Sequence, residues 1–332
     1  MKKKSIFLLM YLCMAFALLP MTAFAGDDIG EFGPFLVSVD VDVDVDTIAS
    51  YAGDTLTIRG DCTIGMVEEG ATTTTDRIVV DEAANIILDG VDIQSTSGAA
   101  FRITSAAGAV NITLADNSTN ILISGYNRAG LQKENTAQLT ITCEREGGAH
   151  SCNGSCGTLF ATGGNSSAGI GGGYTASASG ITIAGGTVNA TGNYGGAGIG
   201  GGYNGGASDI TIAGGIIEAT GGDNGAGIGG GVNGSGSIIT ISGGTVIANA
   251  GSGASGIGIG CSLDGLRRSA SNITIAGGTV TVNKSWGGVG IVGGGPGATG
   301  IKITGGNVLA DFGTGDAAPK NNDAEPVYKA TF

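Results

Sequence analysis

The chain has 332 residues, of which 67 are glycine and only five are proline. Of these glycines, 47 lie between Gly163 and Gly300, in pairs and triplets rather than at every third position, which excludes a collagen triple helix. Isoleucine and valine recur among them at fixed spacing, which a flexible linker does not require.

The first 25 residues have the pattern of a secretory signal peptide. Lys2, Lys3 and Lys4 precede an apolar run over residues 6–19, and Ala23-Phe24-Ala25 provides a small-x-small cleavage site. The apolar run is shorter than a membrane span needs. The sequence therefore predicts cleavage after Ala25 and a secreted or cell-surface protein, with no membrane insertion of the mature chain.

Removal of the signal changes the formal net charge from −13 to −16, because 28 acids then face 12 bases. Nucleic acids and anionic lipids are bound by Lys and Arg patches. We therefore exclude both as partners of the mature chain, whose charge is compatible with neutral ligands and attracts cations.

Residues 26–54 are expected to form an N-terminal cap. Within them, residues 39–46 repeat Val-Asp four times, and an extended strand would place four carboxylates on one face, about 6.6 Å apart. Carboxylates on such a face invite calcium, but they are too far apart to share an ion without further oxygens. A solvated, aggregation-resistant strand edge is the favoured interpretation.

A repeat of about 30 residues organises the rest of the chain. Ile-Thr-Ile occurs at residues 181–183, 210–212, 239–241 and 273–275, and Ile-Lys-Ile follows at 301–303. Two more short apolar segments lie in each unit, so each unit has three strands separated by glycine-rich bends. Three strands per unit at this period predict a right-handed parallel β-helix.

The period-two pattern also predicts which side chains point inward. We expect a stacked interior and an outward threonine ladder of Thr182, Thr211, Thr240 and Thr274. The predicted interior residues are Ile181, Ile183, Val188, Ala190 and Ile199.

The N-terminal half carries the same pattern with less glycine. Ile86-Ile87-Leu88, Ile112-Thr113-Leu114 and Leu139-Thr140-Ile141 take the first-strand position, and Leu56-Thr57-Ile58 is expected to begin an earlier coil. The prediction is about nine coils over residues 55–316, roughly 40 Å long. Residues 317–332 lose the repeat and are expected to form a linker or the start of a further module.

Aromatic residues at the bends are the candidate carbohydrate-binding residues, since sugar rings lie on flat apolar faces. Trp286 and Tyr194 precede equivalent Gly-rich segments and are expected at the same bend on different coils. Tyr174 and Tyr203 follow glycine triplets on consecutive coils and are expected to stack in one column. The alternative is that these rings only cover the bends.

Three cysteines lie near the only histidine, in an insertion that lengthens one coil. Cys143, His150, Cys152 and Cys156 suit either a disulfide-containing loop or a Cys₃His zinc site. The disulfide or free-thiol alternative is favoured. Neither zinc nor calcium is required by the sequence, and no other cofactor is expected.

Ionisable residues are scarce where catalysis would need them. Between Gly157 and Gly260 the charged residues are Asp209, Glu218 and Asp223, without an obvious cluster. A richer patch follows Cys261, and a solvated loop is its favoured interpretation. That patch contains Asp264, Arg267 and Arg268, with Lys284 and Lys302 near. No catalytic residue is predicted, and a non-enzymatic role is favoured.

Four segments carry a resemblance to a known family: Ile112-Thr113-Leu114-Ala115-Asp116, Ala129-Gly130-Leu131-Gln132-Lys133, Gly157-Thr158-Leu159 and the repeated Ala-Gly-Ile-Gly-Gly-Gly. Over residues 55–330 the chain resembles carbohydrate-binding-domain β-helices, which are secreted and cell-surface proteins of Gram-positive anaerobes. The resemblance implies a pectate-lyase-like right-handed β-helix that binds plant or microbial polysaccharide.

Together these features favour a non-catalytic polysaccharide-binding β-helix. The main alternative is a structural stalk or adhesin repeat without a glycan ligand. A polysaccharide lyase or hydrolase is less favoured, as is an ice-binding protein, which needs a two-dimensional threonine array where only one threonine column is regular. The particular glycan and the oligomeric state do not follow from the sequence.

Overall fold

The structure is a computed structural model that describes residues 28–67, 73–134, 136–144, 156–266, 268–291 and 300–310. Almost all of its regular structure is β-strand, arranged in three long sheets. The predicted signal peptide and the predicted linker at residues 317–332 lie outside the described residues.

Elements are numbered in chain order. Sheet A contains, in spatial order, β1 (Asp28–Phe32), β2 (Phe35–Val39), β5 (Cys62–Met66), β7 (Ala84–Asp89), β10 (Val110–Leu114), β13 (Leu139–Cys143), β16 (Ala178–Ile183), β19 (Ala207–Ile212), β22 (Gly236–Ile241), β25 (Ser271–Ile275) and β28 (Ile301–Ile303). Sheet B contains β3 (Ala49–Tyr51), β4 (Thr55–Ile58), β6 (Arg77–Val80), β9 (Phe101–Ile103), β12 (Leu131–Lys133), β15 (Ile170–Gly171), β18 (Ile199–Gly200), β21 (Ile228–Gly229), β24 (Ser255–Gly258) and β27 (Val289–Ile291). Sheet C contains β8 (Asp92–Gln94), β11 (Thr119–Ile123), β14 (Thr158–Thr162), β17 (Thr187–Thr191), β20 (Ile216–Thr220), β23 (Thr245–Asn249), β26 (Thr279–Asn283) and β29 (Asn307–Ala310).

From β7 onward, successive strands enter sheets A, C and B in turn, so sequence neighbours lie in different sheets and every third strand is a spatial neighbour. Strand pairing is parallel from β5 onward in sheet A, from β4 onward in sheet B and from β8 onward in sheet C. Sheet A therefore contains nine parallel strands. The predicted right-handed parallel β-helix of about nine coils is confirmed.

The interior is a continuous stack of mainly aliphatic side chains. The five residues predicted to point inward are all fully buried. Successive coils align them without a register shift, as Ile181 pairs with Ile210 and Val188 with Ile217. The outward ladder Thr182–Thr211–Thr240–Thr274 is confirmed by the same pairing.

An antiparallel cap closes the N-terminal end. β1 and β2 form a hairpin laid antiparallel on β5, and β3 pairs antiparallel with β4. A short helix, α1 (Val45–Ile48), lies between β2 and β3 in the chain, and its Val45 side chain is buried. The cap covers backbone groups that the first coil would otherwise expose at a sheet edge.

One sequence prediction about this end is wrong. Residues 39–46 do not form an alternating strand, because the chain turns after β2 and Asp44 caps α1, its side chain accepting a hydrogen bond from the Asp46 amide at 3.0 Å. Leu56-Thr57-Ile58 begins an earlier coil, as predicted, but it does so as β4 of sheet B, and β5 holds the sheet A position of that coil.

Glycine allows the backbones of successive coils to come into close contact from residue 170 onward. At one position of sheet B, Arg102 and Gln132 are followed on successive coils by Gly171, Gly200, Gly229 and Gly258. Gly200 has φ +140°, and a Cβ there would lie 2.0 Å from the Gly229 carbonyl oxygen. No other residue fits, because the next coil occupies the side-chain position.

We expect Gly200→Ala to lower the free energy of unfolding by more than about 2 kcal/mol, because the backbone of one coil must move away from the next. Gly90 is the matched control, since it also has positive φ (+77°) but an added Cβ meets nothing within 4 Å. Gly90→Ala should cost about 1 kcal/mol from backbone strain alone. Equal losses for the two variants in denaturant unfolding would contradict the close-approach explanation.

Candidate functional site

One bend, between sheets C and B, presents a column of side chains along the rod. It consists of Tyr126, Asn165, Tyr194, Asp223, Ser252 and Trp286, here called the bend column. Each precedes a residue with positive φ, and the bends are hydrogen-bonded coil to coil: the Gly195 amide donates to the Asp223 carbonyl at 2.7 Å, and the Gly253 amide to the Trp286 carbonyl at 2.9 Å. The column is therefore a fixed backbone stack that carries variable side chains.

The predicted equivalence of Tyr194 and Trp286 agrees with the structure. Gly195 and Gly287, the residues after them, have φ of 80° and 73°. Three coil steps separate the two positions, or about 14 Å at the strand spacing of a sheet. Trp286 is 90% exposed and Tyr194 is 48% exposed, so both rings face solvent.

Tyr174 and Tyr203 lie in a neighbouring column, as predicted, and form a three-ring cluster with Tyr194. The Tyr174 and Tyr203 centroids are 6.0 Å apart with a 36° tilt between the rings. Tyr203 stacks on Tyr194 at 6.3 Å and 14°. Tyr203 is the most buried of the three and supports the other two, which expose about half of their surface.

Two features of this region were missed from the sequence. Tyr126 is 66% exposed and occupies the bend column two coils before Tyr194. The missed signal is its spacing, three residues before Ala129-Gly130-Leu131, just as Tyr194 stands three residues before Ala197-Gly198-Ile199. The second is a polar ladder on sheet C, where Asn283 Nδ2 donates to Asn249 Oδ1 at 2.8 Å and Asn249 Nδ2 donates to Glu218 Oε1 at 3.2 Å.

A charged cluster lies on the outer face of sheet B. Arg102 donates two hydrogen bonds to the Glu134 carboxylate, at 2.9 and 2.7 Å, and buried Gln132 donates a third. Burial alone would raise the pKa of Glu134, but the hydrogen bonds from Arg102 and Gln132 bring it below its usual value. Because Glu134 engages the guanidinium in a bidentate pair, we regard the cluster as structural rather than as a ligand site.

Lys133, beside this cluster, is only 2% exposed and takes an interior position equivalent to Ile103. Burial lowers its pKa to about 8. A lysine whose pKa is lower in the folded than in the unfolded chain destabilises the fold at neutral pH, because the charged ammonium is buried. This destabilisation disappears as the pH rises from about 8, where the folded lysine loses its proton, toward the pKa of the unfolded chain.

We therefore expect the stability of the parent, measured relative to Lys133→Met, to increase between pH 8 and about 10. Unfolding in urea at several pH values measures this difference, and the variant cancels contributions from other titrating groups. A difference independent of pH over this interval would contradict the assignment to Lys133.

The cysteine insertion is described only in part. Cys143, at the end of β13, and Cys156 have sulfur atoms 3.0 Å apart. His150 and Cys152 lie outside the described residues, so the predicted four-ligand zinc site remains a prediction, as does calcium. Within the part of the chain that the structure describes, no group of three His, Cys, Asp or Glu residues is arranged to hold a metal.

The sulfur separation leads us to expect a Cys143–Cys156 disulfide in protein produced under oxidising conditions. Peptide mapping without reduction should recover the two residues in one cross-linked fragment. Closing this short loop should add about 3 kcal/mol of stability, and Cys143→Ser with Cys156→Ser should remove it. Recovery of both cysteines as free thiols, or zinc bound stoichiometrically in elemental analysis, would contradict the disulfide.

The other cysteines and the charged insertion show no functional cluster in the described residues. Burial raises the pKa of Cys62 to about 12, so this thiol is unreactive at neutral pH. In the insertion, Arg268 forms an ion pair with Asp264, in agreement with the favoured loop interpretation, and Arg267 lies outside the described residues. Among the described residues no helix is long and apolar enough to cross a membrane.

Comparison with known proteins supports the architecture. A family model described as a β-helix repeat matches residues 153–174, 181–203, 210–232 and 239–262. Each match ends within or beside the column that contains Tyr174 and Tyr203 and spans a bend-column position. Searches of curated proteins and of solved structures gave no match. The chain is thus a parallel β-helix scaffold with repeats of this type.

Proposed function

We propose that this β-helix is an exported, non-catalytic carbohydrate-binding module that recognises plant or microbial polysaccharide. The observation that carries the proposal is the exposure of aromatic rings along one column. The exposed fraction is 90% for Trp286, 66% for Tyr126 and 48% for Tyr194, whereas the apolar side chains of the core are buried. Exposed, rigidly based rings offer flat apolar faces on which sugar rings stack, with polar neighbours for the hydroxyls.

The rigid bend supports this role because it reduces the entropy that binding costs. Each aromatic stands on a backbone already fixed by hydrogen bonds to adjacent coils, so few torsions remain to be ordered. The column also runs along the rod, which suits an extended polymer. The other members of the bend column, Asn165, Asp223 and Ser252, lie between the aromatic residues and offer hydrogen-bonding groups.

The placement of acids supports binding rather than hydrolysis. Glycosidases need two carboxylates across the scissile bond, within about 10 Å of each other. The three acids of the glycine-rich region lie on three different elements, Asp209 on sheet A, Glu218 on sheet C and Asp223 at the bend, so no strand or bend presents two of them as a pair. We therefore retain no catalytic residue in the proposal.

The alternative of a stalk or adhesin repeat is supported by the regular rod itself, and it predicts no glycan ligand. The ice-binding alternative is weakened because the regular threonine ladder of sheet A is a single column. On the other threonine-rich face, that of sheet C, Phe160 and Glu218 interrupt the array.

Affinity electrophoresis of the mature chain in gels containing xyloglucan, galactomannan, mixed-linkage β-glucan or polygalacturonate tests the proposal. We expect retention by at least one polysaccharide and a loss of about five-fold or more in affinity for Trp286→Ala, because its stacking surface is removed. Leu266→Ala is the control, since Leu266 is 59% exposed but lies in the insertion. If none of the four polysaccharides retains the parent protein, the stalk alternative is favoured.

A further inference from the structure

The outer face of sheet C carries three straight columns of side chains. Six strands, β11, β14, β17, β20, β23 and β26, pair in register, and their first, third and fifth residues point outward. The middle column is Ile121, Phe160, Asn189, Glu218, Ile247 and Thr281. The fifth residues lead directly into the bend column, so the face adjoins the aromatic residues described above.

This face is nearly free of charge although the chain is strongly acidic. Among the outward positions of the six strands, Glu218 is the one ionisable residue, and most others are Thr, Asn or Ile. A single carboxylate in a neutral, hydroxyl-rich field repels anionic ligands and accepts hydrogen bonds from neutral donors.

Three consecutive positions of the middle column combine the groups that a sugar requires. Phe160 is 41% exposed and presents a ring to solvent. Asn189 and Glu218 follow on the next two coils, each about 4.8 Å from the last. Within the described part of the chain, the side-chain amide of Asn189 has no hydrogen-bond partner. The Glu218 carboxylate uses only Oε1, which accepts a hydrogen bond from Asn249. The amide and the second carboxylate oxygen are thus available to a ligand.

Glu218 is also held in position from one side. Asn249 Nδ2, which donates to Glu218 Oε1, is 3.0 Å from Thr220 Oγ1, and Asn249 Oδ1 accepts from Asn283 at 2.8 Å. This ladder fixes the carboxylate before a ligand arrives, which reduces the cost of ordering it.

We propose that Phe160, Asn189 and Glu218 form a subsite for a neutral sugar unit that has adjacent free hydroxyls. The sugar ring lies on Phe160, its hydroxyls donate to Glu218 Oε2, and the Asn189 amide both donates and accepts. The inference rests on the proposed polysaccharide-binding function and names its ligand class as neutral glycans rather than uronates or sulfated glycans.

Phe160→Ala, Glu218→Ala and Glu218→Lys test the subsite with the same four polysaccharides, each gel mobility being normalised to a polysaccharide-free gel. We expect Phe160→Ala and Glu218→Ala each to weaken retention by the neutral polysaccharide about five-fold. Glu218→Lys should also weaken it and should gain retention by polygalacturonate. Glu82→Ala is the matched control, since Glu82 is exposed and lies outside sheet C.

The outcomes separate this inference from the proposed function. If Trp286→Ala loses retention while Phe160→Ala and Glu218→Ala bind like the parent, the module binds glycan but the subsite is wrong. If the parent is retained only by polygalacturonate, the neutral ligand class is wrong. If the parent is retained by none, the proposed function fails and the subsite with it. Circular dichroism and thermal unfolding of each variant exclude loss of fold as the cause.

Discussion

Close contact between the backbones of successive coils is the constraint on which the rest of this structure depends. At Gly171, Gly200 and Gly229, the carbonyl oxygen of the next coil lies where a side chain would begin. The sheet B strands that contain these three glycines, β15, β18 and β21, are two residues long, and the neighbouring bends are hydrogen-bonded coil to coil. The same contact explains the glycine content, because a residue with a Cβ would separate the coils. The register is the same from coil to coil, since Ile181 pairs with Ile210 and Ile210 pairs with Ile239.

A fixed register turns a short repeat into long columns, and the columns give the molecule its surface chemistry. Interior columns are mostly aliphatic, whereas outward columns vary more because their side chains do not have to fill the core. The informative residues are therefore those that depart from the repeat: Trp286 and Tyr194 at the bend, and Phe160 and Glu218 on sheet C. These residues lie on sheet C and on the bend that adjoins it, which is why we assign them to one extended glycan-binding surface.

The sequence predicts the repeat, the three strands per coil and the interior, because Ile-Thr-Ile and its partners recur with period two inside a period near 30. It fails where local preference overrides alternation: Asp44 caps a helix and ends the predicted Val-Asp strand. It predicts that Leu56 begins an earlier coil but does not predict that this coil starts in sheet B, after the cap strand β3. It does not reveal the subsite on sheet C, because Phe160, Asn189 and Glu218 are about 30 residues apart and meet only through strand pairing.

We infer that a neutral glycan binds along the side formed by sheet C and its adjoining bend. A crystal structure of the mature chain with an oligosaccharide from a retained neutral polysaccharide would show where the glycan lies. We expect sugar rings on Trp286 or Tyr194 and on Phe160, with a sugar hydroxyl within hydrogen-bond distance of Glu218. Sugar bound elsewhere, for example against the Arg102–Glu134 pair on sheet B, would contradict it.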